Sequence, residues 1–179
     1  ITGLAIGLTV YVGERIGAGK REEAGEIIGT GISLFAVISL IVTVIMVFSS
    51  SALAKLMRAP AEAFDNTVWY VTICSAGTLF IVAYNLVGSI FRGIGDSKIP
   101  LLTVTIACVF NILGDLLLVA VFELGAVGAA IATVFAQAIS VVISLLIIKK
   151  RKLPFNFSRK YIRPNFKHIK SIYYYILFI

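Results

Sequence analysis

The sequence predicts an all-α integral membrane fold, a polytopic bundle of transmembrane helices. Of its 179 residues, 59% are hydrophobic and only 14% charged, and the mean hydropathy is +1.01, far from the composition of a soluble domain. Charge-free runs cover 1–13, 27–54, 66–91 and 124–148, and 99–122 is charge-free except for Asp115. About 20 apolar residues suffice for a spanning helix. Lys and Arg, moreover, sort into alternate loops, the pattern that fixes orientation in a bilayer.

In chain order, spans are expected at about 1–17, 26–50, 64–91, 100–122 and 126–148, together a partial bundle over 1–148. The first apolar segment ends at Glu14, too early to span alone. It lacks the basic n-region and small-residue cleavage site of a signal peptide, so it reads as the end of a truncated helix. Glu22, Glu23 and Glu26 favour the first turn of the second helix. Gly25, Gly29 and Ser33 then recur at four-residue spacing, a ridge of small residues through which membrane helices approach. Pro100 is well placed to start the fourth span. Along the fifth, Gly128, Ala132, Ala136, Ser140 and Ser144 form a second small-residue ridge. A basic linker over 149–165 follows, and 166–179 reads as the start of a further, truncated helix.

The loops holding Arg15, Lys20 and Arg21, then Arg92 and Lys98, then the basic residues from Lys149 to Lys170, are predicted cytoplasmic. Those holding Lys55 and Arg58, and Glu123, are predicted outside. The net charge of +7 is therefore a topology signal, and lipid headgroups account for the tract 149–170; no nucleic-acid partner is expected. The sequon at 156–158 falls on the predicted cytoplasmic side and is discounted. Cys74 and Cys108 lie in different spans and read as small packing residues. His168 reads as part of a basic loop with no second metal ligand nearby. A phosphate-binding loop would need Gly and Ser or Thr where Glu14 and Arg21 stand, so ATP binding is not predicted. No set of side chains suits catalysis, and the chain is not read as an enzyme.

Asp115 is the only charge between Lys98 and Glu123. A carboxylate in a membrane span costs about 2.5–3.5 kcal/mol on insertion scales, so it needs a partner or a job. Asn111 lies one helical turn earlier on the same face, where its amide can donate to the ionised carboxylate or help ligate a cation. Thr133, Gln137, Ser140 and Ser144 make a polar stripe on the fifth span. Interhelical hydrogen bonding accounts for Ser140 and Ser144. Thr133 and Gln137 are candidates to line a polar cavity, at a depth similar to that of Asp115. The competing reading makes Asp115 a packing residue hydrogen-bonded to neighbouring helices.

These residues resemble the multidrug and toxic compound extrusion (MATE) family of transporters. The resemblance lies in four segments in register: VGERIGAGKREEA from Val12 to Ala24, FRGIGDSKIP from Phe91 to Pro100, NILGD from Asn111 to Asp115, and GAVGAAIATVFAQ from Gly125 to Gln137. It implies family helices two to six of the N-terminal six-helix lobe, with helix seven starting near Phe166. The family pairs two such lobes across a cavity and expels organic cations and other drugs against H⁺ or Na⁺, with no cofactor. It further implies that Asn111 and Asp115 belong to an N-lobe cation site, joined by Thr133 and, from the third span, Tyr70; any metal bound there would be Na⁺. The family's first helix, which supplies another Asp, and its second lobe are absent from this sequence, so the chain alone is expected to be inactive.

The function expected on this resemblance is part of a secondary active drug exporter in the plasma membrane. One alternative is a lipid-linked oligosaccharide flippase of the same superfamily, which would want a strongly cationic cavity. The other is a structural membrane subunit in which Asp115 only packs.

Overall fold

The computed structural model describes residues 2–151, 159–163 and 165–177. Among them run α1 (Thr2–Gly17), α2 (Arg21–Leu56), α3 (Phe64–Ala76), α4 (Thr78–Gly93), α5 (Lys98–Asp115), a π-helix (Leu116–Val121), α6 (Gly125–Lys150) and α7 (Phe166–Leu177). Two short 3₁₀ turns, Ala61–Ala63 and Arg159–Tyr161, complete the described elements. Among the described residues, three helices are long and apolar enough to cross a membrane: α2, α5 with its π extension, and α6. The α3–α4 pair makes a fourth if taken as one bent span. The result is a polytopic helical membrane bundle.

Local structure departs from the expected spans in three ways. Helix α2 runs past 26–50 at both ends, because its charged terminal residues, from Arg21 to Glu26 and at Lys55, extend the helix without having to enter lipid. The stretch 64–91 is broken at Gly77, where the axis turns by 45°. The stretch 100–122 stops being α-helical after Asp115 and continues as π-helix.

The core lies where α1, α2 and α4 meet. Leu8, Val12, Ile27, Ile28, Phe35 and Val82 are almost wholly buried there, with Ile172 of α7 closing the cluster. Helices α1 and α4 approach closely at Gly93, where a Cβ would lie 3.0 Å from the Thr9 carbonyl oxygen. Large apolar side chains such as Phe48, Leu101 and Val121 point outward, as suits a lipid-facing surface rather than a second core.

Within the ridge at Gly25, Gly29 and Ser33, the middle residue has a neighbour that is not a long helix. A Cβ on Gly29 would meet the backbone of Tyr161, so Gly29 seats the 3₁₀ turn there. The sequon at 156–158, with the rest of 152–158 and residue 164 of the basic linker, lies outside the described residues.

Polar side chains at the basic end of the bundle find partners. His168 belongs to α7 rather than to a loop, and it is 6% exposed. Its Nδ1 lies 3.1 Å from the Tyr11 hydroxyl and its Nε2 3.5 Å from a Glu26 carboxylate oxygen, which ties α7 to α1 and α2. The Tyr175 hydroxyl donates to Glu14 in the same way. The hydrogen bond from Lys20 holds the Glu23 carboxyl below the ordinary carboxylate range, with the charges of Lys20, Arg15 and Lys167 adding to it. Because that pKa is depressed, its contribution is complete above the carboxylate range and fades as pH falls through it.

Asp96 does two jobs. Its Oδ1 accepts the backbone N–H groups of Lys98 (3.1 Å) and Ile99 (3.3 Å), capping α5, and its Oδ2 accepts from Arg151 Nη1 at 2.7 Å. The ion pair is half in water, and such pairs contribute little, whereas an N-terminal cap is worth about 0.5–2 kcal/mol. Asp96→Ala is therefore expected to lower the thermal midpoint in detergent by the full cap contribution. Asp96→Asn, which keeps the capping oxygen, should stay close to the parent.

Candidate functional site

Helices α5 and α6 form an antiparallel hairpin through the π-helix and a turn in which Glu123 takes a left-handed backbone (φ 55°). Lipid offers no hydrophobic drive between helices, so their approach depends on small side chains. Gly114 meets Ala132 so closely that an added Cβ would lie 2.9 Å from the alanine Cβ. Gly128 likewise faces the backbone of Leu118, 3.0 Å from where its Cβ would be. Further along, Ser140 Oγ donates to the Thr103 carbonyl at 3.1 Å, and Ser144 Oγ donates within α6 to Ser140.

This close seam brings Asn111 and Thr133 together. Asn111 Nδ2 donates to Thr133 Oγ1 at 3.4 Å. A cavity of about 220 Å³ opens beside them, lined also by Gln137, Tyr84 of α4 and Cys108 of α5. Gln137 Oε1 is buried without a hydrogen-bond donor.

Asp115 lies one turn from Asn111 on the other side, at the junction with the π-helix, and its Oδ1 is also buried without a donor. Tyr70 of α3 stands within electrostatic reach of Asp115, and its hydroxyl within hydrogen-bond reach of the Cys74 thiol. Because α5 and α6 run antiparallel, Asp115 and Gln137 lie on opposite sides of the Asn111–Thr133 contact. At 1.5 Å per residue they are about 12 Å apart along the axis. The polar stripe thus spans two depths rather than the single one expected.

Two acceptor oxygens, one of them on a carboxylate, are therefore withheld from water and left unpaired. Leaving a buried polar group unpaired costs about 1–3 kcal/mol, and more for a charged one. A proton or a cation relieves that cost, and carboxylate, amide, hydroxyl and phenol oxygens are the ligands hard cations prefer.

Tyr84 and Cys108 were not expected at the cavity. Tyr84 follows Tyr70 by four turns of the same span, and Cys108 precedes Asn111 by one turn. Both spacings mark a shared face, but neither residue type singles itself out in an apolar run.

Fold and buried polar seam together define a multi-pass helical membrane protein. The chain belongs to the MATE family of multidrug transporters: the MatE family model matches residues 1–117. It is 34% identical over 113 residues to the Probable multidrug resistance protein YpnP of Bacillus subtilis, a match covering 63% of this chain and 25% of that protein. An inward-facing structure of a multidrug resistance MATE family transporter superposes with a TM-score of 0.92 at 25% identity, covering 98% of this chain and 40% of that one. An outward-facing structure superposes at 0.88 with 26% identity, covering 96% and 38%. The chain thus spans between a quarter and two fifths of the length of these relatives.

The seam is open to a steric test. Gly114→Ala should destabilise the bundle by about 1–3 kcal/mol, the usual cost of overpacking, read as a fall in thermal midpoint in detergent. Ala132→Gly in the same chain should recover most of it.

Proposed function

We propose that this chain carries the cation-coupling half of a secondary active drug exporter that expels organic cations or other xenobiotics by antiport against H⁺ or Na⁺. Asp115 is the exchanging group, with Asn111, Thr133 and Tyr70 as its neighbours and Gln137 lining the cavity. The observation that carries this reading is the pair of buried acceptors without donors, Asp115 Oδ1 and Gln137 Oε1, flanking the Asn111–Thr133 contact. A carboxylate in a membrane span needs a partner, and a proton or Na⁺ can be that partner, so cation binding and release change the charge of the seam. Coupling follows if the two charge states favour different orientations of this lobe against a second one. Superposition on both inward- and outward-facing relatives supports a lobe that moves as a unit.

In the same reading the protein sits in the plasma membrane with the basic end of the bundle in the cytoplasm, following the distribution of Lys and Arg.

Asp115→Asn, in the protein expressed from its whole coding sequence, should abolish H⁺- or Na⁺-driven efflux of a cationic dye while leaving membrane expression intact. Unchanged efflux would sink the proposal. Thr133→Val keeps the shape but removes the hydroxyl. Losing one neutral hydrogen bond should raise the half-saturating cation concentration about two- to tenfold.

A further inference from the structure

The broken span passes α6 beside the cavity. Helix α3 ends at Ala76, α4 begins at Thr78, and their axes differ by 45°. Gly77 between them has φ −76° and ψ −5°, a conformation open to any residue. What it supplies is space: a Cβ there would stand 2.3 Å from Cγ2 and 2.7 Å from Cγ1 of Val134. Sharp bends have local causes, and here the Thr78 hydroxyl also bonds back to the Cys74 carbonyl at 3.3 Å.

The neighbours give this contact its meaning. Val134 follows Thr133 directly and lies one turn before Gln137. Tyr70 and Tyr84 stand seven residues to either side of Gly77, about two turns each way and on nearly the same face. Tyr70 reaches toward Asp115, and Tyr84 lines the cavity. Both α3 and α4 pack against α6. The bend therefore sets the angle between the arms that carry the two tyrosines, and Val134 sits at the fulcrum.

We propose that Gly77 is a positioning residue for the cavity, acting through Val134. A β-branched side chain on a helix has one strongly preferred rotamer, so Val134 has little freedom to turn away from an added methyl. Either α6 shifts or the bend changes. Both outcomes move Thr133 and Gln137 relative to Tyr70 and Tyr84 without altering any polar group. The inference deepens the cation-coupled reading and rests on it for the transport readout alone.

The test uses the protein from its whole coding sequence as parent, Gly77→Ala, Val134→Ala and the double variant. Gly77→Ala should raise the half-saturating concentration of the coupling cation about tenfold, in line with an overpacked contact, with a smaller change in maximal efflux rate. The double variant should return it to within about twofold of the parent, because the two closest methyls are gone. A second readout is the rate of maleimide modification at Cys108, resolved by peptide mass spectrometry. It should change in Gly77→Ala and revert in the double variant.

Parent-like values in Gly77→Ala, or no recovery in the double variant, overturn the inference. Should Gly77→Ala fail to reach the membrane, a double variant that does reach it with parent-like cation dependence sustains the inference, and one that also fails overturns it. Should Asp115→Asn leave efflux unchanged, the cation-coupled reading falls, and the Cys108 rates alone decide for or against Gly77.

Discussion

The seam between α5 and α6 is the constraint on which the rest of the site depends. Asn111 and Thr133 meet only because Gly114 lies against Ala132 and Gly128 lies against the backbone of Leu118. In lipid, such an approach comes from dispersion and hydrogen bonding across small side chains rather than from water exclusion. The same closeness lets Ser140 reach the Thr103 carbonyl. The opposite face of α5, with Leu101, Leu102 and Ile112, is left to face outward.

Two sets of polar side chains in this bundle contrast. At the basic end several are paired: His168 with Tyr11 and Glu26, Asp96 with two backbone amides and Arg151. In the seam, Asp115 Oδ1 and Gln137 Oε1 are not. Satisfied networks fix a structure, while an unsatisfied carboxylate makes its surroundings sensitive to whatever neutralises it. The paired end and the unpaired seam share one set of helices. That set superposes closely on relatives in both inward- and outward-facing states.

Much of this was legible in the sequence, for reasons that are local. Charge-free runs mark helices because lipid tolerates no unpaired backbone, and Asp115 stands out because it is alone among apolar neighbours. Asn111 follows from helical spacing. What was not legible depends on partners distant in the chain. The break at Gly77 lies in a charge-free run with no proline, and its counterpart, Val134, is on another helix. The burial of His168 depends on Tyr11 and Glu26, far upstream. The Gly25–Gly29–Ser33 ridge announces a close neighbour, but spacing does not say that the neighbour of Gly29 is the backbone at Tyr161.

The π-helix after Asp115 has a consequence for how relatives align with this chain. Closing hydrogen bonds five residues apart, as from Phe122 N–H to the Leu117 carbonyl, uses one more residue per closure than an α-helix. A relative that is one residue shorter between Asp115 and Glu123 can therefore reach the same turn with ordinary α-helix, keeping Asn111, Asp115 and the start of α6 in place. A one-residue gap in that stretch marks a change of helix type, and the carboxylate on one side of it still corresponds to Asp115.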